Sequence, residues 1–175
     1  LSARGVDKVK LEKAIEELYG IQEESFVSYD MQRGIELEPL AFAKVQELKS
    51  LEFLDVETCG FVNLNENAGA SPDGLIGGKI NLEIKCPKNE TFFKLVASNE
   101  IDKKYLYQMQ MQMMATDTLE TCFFNYCVID GTEYWHEIKV EKDPIICELI
   151  YARIAEAENE KQNFINKLKE NQQWK

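Results

Sequence analysis

The chain has 175 residues, 45% of them apolar and 29% charged, which suits one soluble domain with its own core and excludes a disordered or fibrous protein. No apolar run approaches the ~18–20 residues of a membrane span, no leader-like pattern is present, and the five scattered cysteines are an odd number. A cytoplasmic protein with reduced thiols and no membrane partner is therefore expected, although a formal charge of −11 weighs at first against nucleic acid.

The first residue is Leu1 and not methionine, which points to sequence missing upstream. In chain order, residues 6–19 place Val6, Val9, Leu11, Ala14, Ile15 and Leu18 near a 3.6 period, an amphipathic helix closed by Gly20. Residues 30–49 form a second helical pattern with Pro39 inside it, so a kink there or a start only at Glu38 is expected. Residues 53–64 read as a strand and 63–67 as a polar turn. Residues 70–76 and 79–86 then read as the two arms of a hairpin turned at Gly77-Gly78, where both positions can take positive φ cheaply. Residues 89–97 and 103–116 read as helices, the second with an apolar stripe through Tyr105, Leu106, Met109, Met113 and Met114. Residues 121–130 and 133–140 form a second hairpin through Asp130-Gly131, and 144–169 a long terminal helix. The middle of that helix, AEAENEKQN, is polar all round, so it is expected to enter solvent or meet another subunit. The pattern predicts an α/β (α+β) fold: a mostly antiparallel mixed central sheet, flanking helices and a long C-terminal helix, in a single domain over residues 1–175.

The charge is unevenly spread. Residues 79–104 carry six lysines against four acids, and residues 1–13 carry Arg4, Lys8, Lys10 and Lys13 against Asp7 and Glu12. A polyanion could be met there while the acidic bulk faces away, or these could be ordinary solvated lysines.

The first hairpin carries the chemistry. Asp73 lies on one arm, while Glu83 and Lys85, two apart, share a face of the other; Leu82, Ile84 and Cys86 face the opposite way. Hard cations such as Mg²⁺ take oxygen ligands and need only one or two protein carboxylates. Asp73 and Glu83 could supply these and Glu38 a further oxygen, though a carboxylate near a helix start is also a plain dipole partner. Lys85 beside a bound water could orient it, help deprotonate it or stabilise developing charge, which suits metal-assisted phosphodiester hydrolysis. One histidine, His136, and no paired-cysteine spacing argue against zinc. Gln108 and Gln112, one helical turn apart, could orient water or a phosphate.

Pro72-Asp73 followed by Glu83-Ile84-Lys85 resembles the PD-(D/E)xK nuclease superfamily, with its restriction-endonuclease-like core. SPDGL and LEIKCP together resemble the phage lambda exonuclease branch, the YqaJ-type viral recombinase nucleases. RGIELE, residues 33–38, is similar to that family's Gly-x-x-x-Glu helix start, and YLYQMQMQMMAT, residues 105–116, to its later helix with a Gln-x-Gln pair at Gln108 and Gln110. The terminal Gln173-Trp174-Lys175 is similar to the family's ending. The resemblance implies Asp73, Glu83 and the main-chain carbonyl of Ile84 as metal ligands, supported by Glu38, with Lys85 and Gln108 in catalysis alongside the two carboxylates. Arg4, Arg33, Lys88 and Gln110 are the corresponding DNA-binding candidates. It also implies Mg²⁺, with Mn²⁺ as a substitute, and 5′-to-3′ degradation of one strand at double-stranded DNA ends. The remaining 3′ strand would pass to a single-strand annealing protein. A homotrimeric ring encoded by a phage or prophage and working in the bacterial cytoplasm completes the expectation. A structure-specific endonuclease of the same fold and a non-catalytic DNA-binding module are the alternatives.

Overall fold

The computed structural model describes residues 3–20 and 28–171. Along the chain these form α1 (Ala3–Tyr19), α2 (Tyr29–Ser50), β1 (Val56–Thr58), β2 (Val62–Asn63), β3 (Gly69–Ala70), β4 (Gly74–Ile76) and β5 (Ile80–Lys85). There follow α3 (Asn89–Ser98), α4 (Lys103–Thr116), β6 (Glu120–Ile129), β7 (Thr132–Glu141) and α5 (Pro144–Asn171). They divide into two compact units, one holding the sheet with α2 to α4, the other α1 with the C-terminal part of α5.

In the first unit five strands run in the order β1-β4-β5-β6-β7. All neighbours are antiparallel except β5 and β6, which are parallel and joined by a crossover through α3 and α4. This is the expected mixed, mostly antiparallel sheet. Its two faces are covered by different helices. Leu82 and Ile84 of β5 join Phe124 and Tyr126 of β6 beneath Ala41 and Val45 of α2. On the opposite face Met109 and Met113 of α4 pack on Phe123 and Val140. The period-2 alternation of β5 therefore turns Glu83 and Lys85 toward α4.

Three local features differ from the sequence expectation. Helix α2 runs unbroken through Pro39, capped at its start by the Ser28 hydroxyl, which accepts from the Met31 amide. The carbonyl that Pro39 leaves without a donor belongs to Ile35, an exposed residue where water can serve it. The expected strand over 53–64 is two short strands in different sheets, since β2 pairs with β3 instead of continuing β1. The first hairpin arm is likewise divided: β3 and β4 are separated by Ser71-Pro72-Asp73, where Pro72 has no N–H to give a ladder. Gly74 follows, and a Cβ there would sit 2.6 Å from the Glu57 carbonyl of β1. The glycine turn is as expected, with φ of 57° at Gly77 and 66° at Gly78, but Lys79 belongs to the loop and β5 starts at Ile80.

In the second unit Ala14 of α1 and Ile165 of α5 are fully buried, and Lys161 bridges Glu17 of α1 and Glu158, each at 2.9 Å. The polar middle of α5 is thus mostly exposed, with Lys161 turned to α1. No described helix is long and apolar enough to cross a membrane.

Candidate active site

The break before β4 builds the site. The Asp73 amide donates to the Leu82 carbonyl (3.0 Å), and its carboxylate accepts from the Ile84 amide (2.6 Å). Strand β4 reaches only as far as Leu82 along β5, so beyond it a side chain takes the place of a strand partner. The N–H and C=O of one strand residue leave on the same edge, which puts the Ile84 carbonyl on the edge occupied by the Asp73 carboxylate. One residue back, Glu83 is fully buried on the α4 side. It accepts from Gln108 at 2.8 Å and from Gln112 at 2.5 Å, and its carboxylate is in direct contact with the Lys85 ammonium. Lys85 in turn lies 5.3 Å over the Tyr105 ring. Glu38 of α2, exposed, lines a cleft of about 550 Å³ with Met31, Ile35, Ile84, Lys85 and Tyr105.

The electrostatics define what this cluster lacks. Burial, then the neighbouring Glu83, pushes the Asp73 carboxyl up to about 6; Glu38 adds to this, while the Ile84 amide and Lys85 pull the other way. Burial works against the Lys85 ammonium, but Glu83 and then Asp73 more than offset it, so Lys85 is held above its ordinary range. It is a proton holder near neutrality, which favours orienting and charge-stabilising work over acting as a base. When ionised, Asp73, Glu83 and Glu38 exceed the single ammonium by two negative charges. A hydrated divalent cation fits that excess and the all-oxygen donor set. Among the described residues no three of His, Cys, Asp and Glu converge as a metal group, so the site does not offer a closed, all-protein cage.

The residues singled out from sequence meet different fates. Asp73, Glu83, Ile84, Lys85 and Gln108 come together, and Glu38 faces them from α2. Gln112, which sequence spacing pairs with Gln108 on one helix face, is as close to Glu83 as Gln108 is, and it also donates to the Ser71 carbonyl (3.3 Å). The i+4 spacing puts both glutamines on the face that meets Glu83. Gln110 is a correction. It is fully buried, donates to the Glu141 carbonyl (2.9 Å), accepts from the Asp143 amide (2.8 Å), and stitches the end of β7 to the start of α5. Two residues along a helix turn a side chain about 200° away, so Gln108 and Gln110 cannot serve the same surface. Changing Gln110 to leucine should cost about 2–4 kcal/mol in denaturant unfolding by orphaning two backbone groups, with the cation requirement of any activity unchanged. Arg33 donates to the Cys86 carbonyl (2.6 Å), tying α2 to the end of β5, and Lys88 is exposed immediately before α3. His136 is a strand residue bonded to Asn99 (2.8 Å), with no part in the cluster. The Arg4 side chain and residues 173–175 lie outside the described residues.

The profile of the YqaJ-like viral recombinase domain matches residues 6–118. The chain belongs to that family. Among solved structures it is similar to the alkaline exonuclease LHK-Exo from Laribacter hongkongensis, at 29% identity and a TM-score of 0.84, over 97% of this chain and 86% of that one. A second structure of LHK-Exo, in complex with dAMP, matches at 30% identity and a TM-score of 0.81, over 94% and 83%. A phage-related exonuclease from Haemophilus somnus 129PT, 15% identical with a TM-score of 0.68 over 92% and 82%, shares the fold. Comparison with curated proteins finds no match. The family expectation from SPDGL, LEIKCP and the glutamine helix is thus borne out, as is the fold class, and membership in the YqaJ-like family supports a nuclease.

Proposed function

We propose that this YqaJ-like protein is a Mg²⁺-dependent deoxyribonuclease, with Mn²⁺ as a substitute, that degrades one strand of double-stranded DNA ends in the 5′-to-3′ direction. The carrying observation is the Asp73 carboxylate fastened to the Ile84 amide beside a buried Glu83 that contacts Lys85, Gln108 and Gln112. Asp73, Glu83 and the Ile84 carbonyl would hold the cation, with Glu38 as a further oxygen from α2. When bound, the cation supplies Lewis acidity for phosphodiester hydrolysis. Lys85 donates hydrogen bonds at the cleft, orienting the attacking water and stabilising charge that develops on the phosphate. Gln108 and Gln112 keep the Glu83 carboxylate in one orientation, and Glu83 in turn keeps Lys85 protonated. Lys88 and Arg33, at the mouth of α3 and on α2, are positioned to meet or support the phosphate backbone.

The same reading makes both compact units parts of one nuclease domain that assembles as a homotrimeric ring in the cytoplasm of a phage-bearing bacterium, leaving 3′ single strands for an annealing protein. Linear duplex with 5′ phosphates and covalently closed circles, each incubated with Mg²⁺ or with chelator, test it. Linear DNA should be degraded only with the cation, from the 5′ ends, and circles should survive. Cutting of circles would assign an endonuclease of the same fold instead. Absence of cutting on both would leave a non-catalytic DNA-binding module.

A further inference from the structure

Lys85, Pro87 and Tyr105 form a wall shared by the active-site cleft and a second cavity of about 240 Å³, which lies between α3, α4 and the sheet. Leu95 and Phe123 give this cavity an apolar lining, and Asn125 of β6 joins them from the sheet. Asn125 stands in register with Lys85 on the neighbouring strand and is only 2% exposed, and its Nδ2 has no hydrogen-bond partner. A buried amide left unmet is costly and uncommon, and nothing in the cation site uses this one.

The lining argues for a base over a phosphate. The cations at the rim are already engaged: Lys94 bonds Glu90 at 2.7 Å, Lys104 lies 4.6 Å over Tyr105 with Asp102 3.7 Å away, and Lys85 contacts Glu83. Glu100 and Asp102 also line the rim, where they would repel an added anion. The volume falls below the ~300–1,000 Å³ of pockets for drug-sized ligands and suits one flat ring system. One aromatic wall, Tyr105, with a single amide donor suits any base, because each of the four offers an acceptor nitrogen or oxygen.

We propose that this cavity receives one nucleobase of the strand being cut, the base next to the scissile phosphodiester. Its edge accepts from Asn125, and its ring lies against Tyr105 and Leu95. The inference rests on the nuclease reading and adds a base subsite to it, reached across the same lysine that faces the phosphate.

The test compares an ordinary linear duplex with duplexes carrying a single abasic tetrahydrofuran residue at either nucleotide flanking the first scissile bond. Wild-type protein, Asn125→Leu and Thr91→Trp are each assayed for kcat/KM. Asn125→Leu keeps side-chain size and removes the orphan donor, and Thr91→Trp adds bulk at an exposed rim position that should fold normally. Wild type should lose roughly tenfold or more on one abasic substrate, in line with base–aromatic stacking. Both variants should lose about as much on ordinary DNA and show little further loss on the abasic one. Equal cutting of ordinary and abasic ends by wild type, or wild-type discrimination retained in both variants, overturns the subsite and leaves the nuclease reading standing. No cutting of any substrate by wild type overturns both.

Discussion

Asp73→Asn is expected to give a folded protein that is more stable than wild type in chelator and has lost nuclease activity by roughly 10³-fold or more. The activity loss follows from removing a carboxylate whose cation would supply several kcal/mol of transition-state stabilisation. The stability gain follows from the crowding of negative groups. The folded-state pKa of Asp73 is raised, to about 6 from 3.8, so folding favours its protonated form. No penalty applies below the unfolded value. It grows as pH rises from 3.8 to about 6 and is fully present above that, on the order of 2–3 kcal/mol. Asparagine carries no charge, and its carbonyl can still accept from the Ile84 amide. Denaturant unfolding at pH 5 and pH 8 with chelator checks this. Wild type should be weaker at the higher pH relative to the variant, and saturating Mg²⁺ should reverse the order by stabilising wild type alone. A variant less stable than wild type at pH 8 in chelator would overturn the account of Asp73.

Lys85→Ala is expected to lose activity by about 10²–10⁴-fold while DNA ends are still bound, because the group removed acts on developing charge more than on the ground state. It should also destabilise the protein, through a mechanism separate from the loss of activity. Glu83 is fully buried, and without the ammonium it keeps only the amides of Gln108 and Gln112. The lysine side chain retains 26% exposure, so solvent screening holds the cost to roughly 1–3 kcal/mol, below that of breaking a wholly buried pair. Pairing Lys85→Ala with Glu83→Gln should recover much of the stability and none of the activity. Failure of that double variant to regain stability would mean that the charge on Glu83 is not what Lys85 offsets.

These two variants pull on the same conflict. On the proposed reading, Asp73, Glu83 and Glu38 would hold a cation at the expense of the cation-free fold, with Lys85 as the ammonium in direct contact with Glu83. The two amides on Glu83 are neutral donors that hold its geometry without cancelling its charge.

Much of this was legible in residue order. The period-2 pattern of β5 set Glu83 and Lys85 on one face and Leu82 and Ile84 on the other, and the sheet keeps that division. Gly77-Gly78 and Asp130-Gly131 marked their turns because positive φ is a local requirement that few residues meet. The glutamines show where residue order stops. Gln108, Gln110 and Gln112 differ little in sequence, yet one touches Glu83 from an exposed position, one is sealed against α5 and one clamps Glu83 from within. Which surface each meets depends on how α4 is rotated against β5 and β7, and that is decided by Met109 and Met113 packing on Phe123 and Val140.

The pair of hairpins, the helical segments and the Asp-Glu-Lys grouping follow from residue order, since those depend on short-range periodicity, turn stereochemistry and residue type. The folded arrangement sets where the strand carrying Asp73 breaks before Gly74, so that a carboxylate caps the open edge of β5. It alone set Glu38 of α2 on the cleft lined by Ile84 and Lys85, brought two of the three glutamines to Glu83, and left Asn125 unpaired beside a cavity. The reason is physical: contacts between residues 11 to 53 apart depend on how sheet faces are covered, and no local pattern in the chain encodes that.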